Sequence, residues 1–471
     1  MSTTRRNFIR NTFLGVGLLS GGKAWAGTNP SFAYQDTSNE PHQVAHGRPM
    51  PPHRQDARFP DQPLGRGRIE PTLVKLQPGA EQQFKAIIAA PMFSYAHLAE
   101  KVTWTVNDVE GGNAQVGTID ARGLYRAPAH APVPHEVHIC AKVEGVMNPF
   151  LFATVLVGVA EAAYTMKSSW TDEAHRMEYP HSISLDPQGN LLIADSVGSR
   201  VFRFSPDGKL LTAIGAGSRV TKGSHRKPAS ASSGFTHPSV TVGYFGGTRP
   251  GYFSAPRVAL SDSSGMVYVV DTEERRPQIQ VFDSAGHFQY AFGQHGTLPG
   301  YLIRVHGMAF DSKGRLHAED VENCRINTYE RDGKFVSSWG HEGALPGDLN
   351  APHGLYIDPN DEIFVIGYYG PTQKFTADGH FLLAFAHADP PDHPISFQSV
   401  CGDRWGNVYV PMREEGLAKF NNTGDFIGWV TKGVAVQWGT VAHDGTIYLL
   451  PTADSKREKE QLPTVAVYSE Q

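Results

Sequence analysis

The feature that most constrains the fold is a sequence repeat in the C-terminal two thirds of the chain. Its first copy, residues 179–215, contains two short, mainly apolar runs, Leu191–Ala194 and Val201–Phe204. We interpret these runs as strands with one buried face. Pro-Gln-Gly at 187–189 and Pro-Asp-Gly at 206–208 are turn sequences next to these runs. Four short strands cannot bury both faces of one sheet, so the pattern predicts further copies that pack side by side.

Five further copies follow, and they are recognised from Pro256, His306, Pro352, Asp403 and Val436 onward. The sixth copy runs to Glu470 without a fourth strand. A spare run at residues 163–170 resembles Phe335–Trp339, the last strand of the third copy. We therefore expect a closed ring of six units in which residues 163–170 supply the outer strand of the last one. Closure leaves only short, protected sheet edges.

The spacing within one copy matches a known repeat. The first copy places Pro180-His181 before Asp186, Gly189, Asp195 and Arg200-Val201. This pattern resembles the NHL repeat, and the resemblance covers residues 163–471. It implies an all-β fold whose C-terminal part is a six-bladed NHL-type β-propeller.

The first residues of the chain resemble an export signal. Residues 1–26 contain Arg5-Arg6, a short apolar stretch at Phe13–Leu19, and Ala24-Trp25-Ala26 as a cleavage site, which resembles a twin-arginine signal peptide. The apolar stretch is too short to cross a bilayer, and no other stretch is long enough. We therefore expect an exported, periplasmic or extracellular protein with no membrane span in the mature chain. Residues 27–68, rich in Pro, His and Arg, indicate a disordered tether.

Charge and cysteine content restrict the possible partners. The net charge of −5 becomes −9 if the signal is removed with its four cations, Arg5, Arg6, Arg10 and Lys23. A mildly acidic protein is a poor candidate for binding nucleic acid. The three cysteines, Cys140, Cys324 and Cys401, are odd in number and far apart, which argues against a disulfide framework.

Residues 69–160 have a different pattern of short alternating strands, such as Leu73–Leu76 and Val102–Val106. The segment resembles the bacterial Ig-like domains of exported proteins, which implies a β-sandwich. We expect Trp104 and Tyr125 to lie in its core. The resemblance implies a role as a spacer.

One position of the repeat is polar in every copy. The residue five positions before the turn aspartate is His181, Arg257, His306, His353 and Gln398 in the first five copies, and Gln437 in the sixth by a looser alignment. In a propeller this position lies near the start of the innermost strand, so these side chains are expected to converge at the central channel. Converging polar groups in a funnel predict a ligand site. The insertion at 216–252 is basic and is interpreted as a lid, or alternatively as a solvated flap.

The three histidines also suggest a metal. Three neutral imidazoles can hold a divalent ion such as zinc with one position open, which gives His181, His306 and His353 as candidate ligands. This slot resembles the zinc site of peptidyl-α-hydroxyglycine α-amidating lyase, a six-bladed relative. The sequence departs from that family, since the fifth copy has Gln398 and the stretches expected to carry the catalytic Tyr and Arg read Asp271-Thr272-Glu273 and Asp320-Val321-Glu322.

Three functions remain open from the sequence, one of which is a structural subunit in an envelope complex. The first is recognition, in which the funnel face binds a small molecule, a peptide or an envelope protein, with Arg257, Gln398 and Gln437 contacting the ligand. The second is a metal-dependent lyase or hydrolase that uses the three histidines as ligands and Arg257 to orient a carboxylate. The general consensus of the repeat includes Pro-His-Gly, so a histidine there also has a purely structural explanation.

Overall fold

The structure is a computed structural model that describes residues 67–89, 96–99, 101–145, 150–172, 177–215, 250–271, 278–343, 345–367, 370–386, 399–412, 415–451 and 464–471. The predicted export signal, nearly all of the tether, Gln398 and most of the 216–252 insertion lie outside these residues. The described chain is all-β, with strands and no α-helix. Within these same ranges, no helix has the length and apolar character that a membrane crossing requires.

The N-terminal part of the described chain forms twelve strands: β1 (Gly67–Glu70), β2 (Leu73–Leu76), β3 (Glu81–Gln83), β4 (Lys85–Ala89), β5 (Ala96–Leu98), β6 (Val102–Val106), β7 (Val109–Glu110), β8 (Gly112–Asn113), β9 (Gly117–Ile119), β10 (Leu124–Arg126), β11 (Glu136–Val143) and β12 (Phe150–Val157). They form three sheets with the orders β1-β4-β5, β3-β10-β9-β8 and β2-β12-β11-β6-β7. The sheets share one apolar core that includes Phe84, Trp104 and Tyr125. We call this region the N-terminal β-domain.

The remaining strands belong to the repeats: β13 (Ala162–Trp170), β14 (Pro180–Leu185), β15 (Leu191–Asp195), β16 (Arg200–Phe204), β17 (Leu210–Ile214), β18 (Pro256–Ser261), β19 (Val267–Asp271), β20 (Gln278–Phe282), β21 (Phe288–Phe292), β22 (Val305–Phe310), β23 (Leu316–Asp320), β24 (Arg325–Tyr329), β25 (Phe335–Trp339), β26 (Pro352–Ile357), β27 (Ile363–Gly367), β28 (Thr372–Phe375), β29 (Phe381–Phe385), β30 (Cys401–Gly402), β31 (Val408–Pro411), β32 (Leu417–Phe420), β33 (Phe426–Trp429), β34 (Val436–Val441), β35 (Ile447–Pro451) and β36 (Val465–Glu470).

These strands form a β-propeller. The four sheets β14–β17, β18–β21, β22–β25 and β26–β29 are antiparallel and run in chain order, and we number them one to four. An eight-stranded sheet follows, with the order β30-β31-β32-β33-β13-β36-β35-β34. The first strand of each unit contacts that of the next, and β34 contacts β14, so the innermost strands form a closed ring.

The repeated aspartates shape the turn after each innermost strand. In sheet three, Oδ1 of Asp311 accepts hydrogen bonds from the backbone N–H groups of Lys313 (3.0 Å) and Arg315 (2.8 Å). Equivalent pairs of bonds form at Asp186, Asp262, Asp358 and Asp403. The carboxylate therefore satisfies two donors that the turn would otherwise leave unpaired.

At several junctions between neighbouring units, a turn glycine packs on an aromatic ring of the preceding outer strand. A Cβ atom at Gly333 would lie 2.4 Å from Phe292 of the preceding outer strand, and one at Gly379 would lie 2.4 Å from Trp339. Gly208 packs in the same way on Trp170, where a Cβ atom would lie 2.6 Å from the ring. Trp170 therefore gives β13 the contact that an outer strand makes elsewhere in the ring.

Strand β13 joins the two ends of the repeats. It pairs antiparallel with β36, from Tyr164 opposite Glu470 to Trp170 opposite Val465. At its start, Ala162 and Ala163 also pair with β33. The outer strand beside the C-terminal strand is thus supplied from upstream of the first repeat.

The N-terminal β-domain packs on the propeller through a buried ion pair. Nζ of Lys419 lies 2.8 Å from both carboxylate oxygens of Glu136, and neither side chain is more than 3% exposed. In sheet four the equivalent Lys374 pairs with Glu362 of its own sheet and also donates to the backbone carbonyl of Asn422 in the next turn (3.0 Å). Strands β36 and β13 pair but are not consecutive in the chain, so no turn between them offers a carbonyl to Lys419. Lys419 donates to the carboxylate of Glu136 instead.

Candidate functional site

A β-bulge at the start of the innermost strands presents one side chain toward the axis. In sheet three the pairing shifts between Val305 and Gly307, which leaves His306 without a partner in the ladder. The same shift leaves out His181, Arg257, His353 and Gln437 in their strands. A bulge bends the strand and redirects the extra residue. The repeat therefore brings five of the six predicted axial residues to equivalent positions, and Gln398 is not described.

Four of these residues are linked from sheet to sheet by hydrogen bonds. Nδ1 of His181 lies 3.0 Å from the carbonyl oxygen of Arg257. Nη1 of Arg257 lies 3.1 Å from Nε2 of His306. Nδ1 of His306 in turn lies 2.8 Å from Nε2 of His353. We call this series the axial chain.

The axial chain fixes the position of the imidazole protons. A guanidinium group can only donate, so Nε2 of His306 must accept from Arg257. The proton of neutral His306 is then on Nδ1, which donates to Nε2 of His353. A carbonyl can only accept, so Nδ1 of His181 donates to the Arg257 backbone. The guanidinium of Arg257 therefore sets the direction of the two hydrogen bonds of His306. The backbone carbonyl of Arg257 sets the direction of the bond from His181.

The surroundings keep His306 and His353 neutral. Burial lowers the pKa of His306 well below its usual value, and His353, Arg257, His181 and Arg304 lower it further. Burial also lowers the pKa of His353, to about 3, with additional effects from Arg304 and Arg257. The neighbours that act on these two rings through charge are therefore basic side chains and other imidazoles. A positive field favours a negative ligand.

Two further side chains frame the predicted ring. Nε2 of Gln437 donates to the hydroxyl of Tyr179 across 3.3 Å. The Tyr179 ring lies 6.2 Å from the His181 ring, and the buried Trp438 ring lies 5.9 Å from it. The site therefore combines hydrogen-bonding groups with an aromatic wall, which is typical of ligand sites.

The sequence pattern did not identify Arg304. It lies two residues before His306, and its Nη2 is 3.0 Å from Oε1 of Glu322. Its charge acts on both His306 and His353. The sequence does show a basic residue two positions before the axial His306. The alignment of the repeats compared only one position per copy, so it did not include Arg304.

A metal does not fit the axial chain as it is arranged. Nε2 of His306 and Nε2 of His353 both accept hydrogen bonds, and their lone pairs are the ones that would bind a metal. The guanidinium of Arg257 also lies 3.1 Å from the first of these atoms, where it repels a divalent cation. Among the described residues, no group of three His, Cys, Asp or Glu side chains has the geometry to hold a metal ion. Zinc at His181, His306 and His353 stays a prediction.

Comparisons with known proteins give distant structural similarity. No protein-family model matches the chain, and no curated protein matches it either. A protein of unknown function from Bacteroides thetaiotaomicron is 15% identical with a TM-score of 0.45, over 88% of this chain and 99% of that one. A gluconolactonase from Xanthomonas campestris is 13% identical with a TM-score of 0.43, over 66% and 90%. Virginiamycin B lyase from Staphylococcus aureus, as an inactive variant with quinupristin, is 12% identical with a TM-score of 0.41, over 61% and 82%. Similarity at this level transfers no activity to this chain.

Proposed function

We propose that this protein binds a carboxylate-bearing ligand at the axis of its propeller. The observation that carries the proposal is the position of Arg257, whose Nη1 lies 3.1 Å from Nε2 of the buried His306. Its charge also lowers the pKa of His306 and of His353. A cation beside neutral imidazoles favours an anion, and a guanidinium group matches carboxylate geometry. Arg257 is partly exposed. Gln437 and Gln398 are the additional ligand contacts in this proposal.

The proposed setting is an exported two-domain protein. The repeat pattern and the ring of innermost strands support a six-bladed NHL-type propeller, in which the halves of the eight-stranded sheet are the fifth and sixth blades. The core of the N-terminal β-domain supports an Ig-like sandwich. Residues 1–26 would direct export through the twin-arginine route, and residues 27–68 would form a tether. The buried Glu136–Lys419 pair supports a sandwich that acts as a rigid spacer.

The metal-dependent lyase or hydrolase remains the alternative. It requires the axial chain to break, because the Nε2 atoms of His306 and His353 would have to turn from their hydrogen-bond donors to the ion. It also requires a cation to bind beside Arg257. Both steps cost free energy that anion binding does not, so carboxylate recognition is the better supported function.

The experiment is a titration of the purified protein with acetate, succinate and citrate at constant ionic strength, followed by calorimetry and thermal unfolding. We expect at least one of them to bind with a Kd below about 1 mM. The variant Arg257→Gln should bind at least tenfold more weakly, because the guanidinium charge is lost. Lys209→Gln removes an exposed cation on a surface turn and is the matched control. The proposal fails if none of the three binds, or if Arg257→Gln binds as the wild type does.

A further inference from the structure

A buried acid in sheet three occupies a position that is apolar in the other sheets. The residue paired with the one after the axial bulge is Ala194, Val270, Ile366 and Leu450 in four of the units. In sheet three the residue paired with Gly307 is Glu319. The repeat thus places a carboxyl group where four of its other copies place an aliphatic side chain.

The carboxyl group of Glu319 is buried without a hydrogen-bond partner. The residue is 0% exposed, and neither Oε1 nor Oε2 has a hydrogen-bond partner. A buried polar group without a partner destabilises the folded state, so such groups are uncommon in proteins and call for an explanation. An aliphatic residue would avoid this cost, as it does in the other units.

The position of Glu319 links it to the axial site. A Cβ atom at Gly307 would lie 2.7 Å from Oε2 of Glu319 and 2.9 Å from the backbone nitrogen of Leu355. The carboxyl group therefore lies in the seam between the innermost strands of sheets three and four, beside the residue that follows His306. The hydrogen bond between His306 and His353 bridges the same two strands.

Arg304 adds a second group without a partner near this seam. Its Nε is buried and has no hydrogen-bond partner, although its Nη2 pairs with Glu322. Its charge acts on Glu319, and also on His306 and His353. A buried donor and a buried carboxyl group, both without hydrogen-bond partners beside the axial histidines, are the arrangement expected of a polar ligand subsite.

We propose that Glu319 is a second ligand-binding group of the axial site, which engages an oxygen atom of the carboxylate ligand from the seam between sheets three and four. The inference rests on the proposed function, because that function supplies the ligand. Burial, with a smaller effect from Asp320, raises the pKa of Glu319 well above its usual value. The group is then a neutral acid that donates a hydrogen bond, and a bond from an acid to a carboxylate is short and strong.

The test compares Glu319→Leu with Glu319→Gln in the full-length protein. The leucine variant restores the apolar pattern of the other sheets and should raise Tm by roughly 2–6 °C, since the burial of an unpaired carboxyl group is relieved. The same variant should bind succinate or citrate, whichever binds the wild type, at least tenfold more weakly. The glutamine variant keeps a donor of similar shape and should bind within about threefold of the wild type. Glu330→Leu changes an exposed acid of the same sheet and is the control.

Each outcome separates the two proposals. If the wild type binds the carboxylate, Arg257→Gln loses it and Glu319→Leu does not, the inference about Glu319 is overturned while the proposed function stands. A lower Tm for Glu319→Leu would also overturn it, because the carboxyl group would then be stabilising the fold. If no carboxylate binds the wild type, the proposed function fails first and the inference fails with it.

Discussion

Nδ1 of His306 donates a hydrogen bond to Nε2 of His353 across 2.8 Å, and the two rings meet edge to face with centroids 4.2 Å apart. This contact joins two sheets at the axis, and it requires Nε2 of His353 to be unprotonated. The guanidinium of Arg257 requires the same of Nε2 of His306, on the other side of that ring. The order of donors and acceptors at the axis thus follows from one arginine in a position that is histidine in three other units.

The neutral state of His353 predicts that stability depends on pH. Its pKa is about 3 in the folded protein, against an ordinary value near 6.5. Since the unfolded chain takes up the proton more readily, the stabilising contribution is fully present above pH 6.5 and is lost as the pH falls toward 3. His353→Gln should reduce the slope of unfolding free energy against pH in that window by up to about 1.4 kcal/mol per pH unit. Urea unfolding at pH 7, 6, 5 and 4 measures it.

The control for this measurement is His380→Gln, since the side chain of His380 is 80% exposed. It should leave the slope unchanged. An identical slope for the wild type and His353→Gln would show that His353 titrates normally, and the assignment of a neutral axial chain would be wrong.

The buried pair of Glu136 and Lys419 predicts that the N-terminal β-domain stabilises the propeller. Glu136→Gln should lower the free energy of unfolding by up to about 3–5 kcal/mol, because the buried Lys419 loses its nearest carboxylate and keeps only Asp403, 3.4 Å away, as a charged partner. The double variant Glu136→Gln/Lys419→Met should recover much of the loss. Denaturant unfolding of the full-length protein measures both.

Asp108→Asn is the matched control for that pair. Asp108 binds Arg404 across the same interface, but the two side chains are 54% and 32% exposed. Exposed pairs contribute little, so the loss should stay below about 1 kcal/mol. Equal losses for Glu136→Gln and Asp108→Asn would contradict the special role of the buried pair.

The packing of Trp170 on Gly208 predicts how the ring is held closed. Trp170 lies 5.0 Å from Phe204, and Trp339 makes the equivalent contact with Phe375 at 4.9 Å. Replacing either tryptophan by alanine should cost about 2–4 kcal/mol. Only Trp170→Ala should speed amide exchange in both β13 and β36, because these strands are not joined by a turn. Mass spectrometry of hydrogen exchange compares the two variants, and equal exchange in β36 would count against this account.

The sequence predicts the part of the fold that is built from repeats. Short apolar runs such as Leu191–Ala194 and turn aspartates such as Asp186 recur, and they predict the all-β propeller that the structure contains. The interpretation of Leu191–Ala194 as a strand with one buried face was wrong, because β15 is buried along its whole length. The axial residues could be found because one bulge recurs at a fixed distance before the turn. Trp104 and Tyr125 were predicted as core residues and are buried.

Other features depend on contacts that no spacing reveals. The bonds among Arg257, His306 and His353 depend on how neighbouring sheets are placed around the axis. Glu136 and Lys419 are 283 residues apart, so their pairing needs the folded chain. An alignment of the repeats shows Glu319 as an acid at a position that is aliphatic in four other copies. Its significance depends on its burial without a hydrogen-bond partner, which only the structure shows.

The most direct test of the central claim is a nitrogen NMR measurement on protein labelled with 15N-histidine, with assignment by the variants His306→Gln and His353→Gln. We predict that His306 is neutral from pH 5 to 8, with its proton on Nδ1, and that added zinc leaves this signal unchanged. In Arg257→Gln the pKa of His306 should rise, since a nearby cation is removed. A His306 that is protonated in this range, that carries its proton on Nε2, or that shifts on binding zinc would contradict the cationic, anion-binding axis.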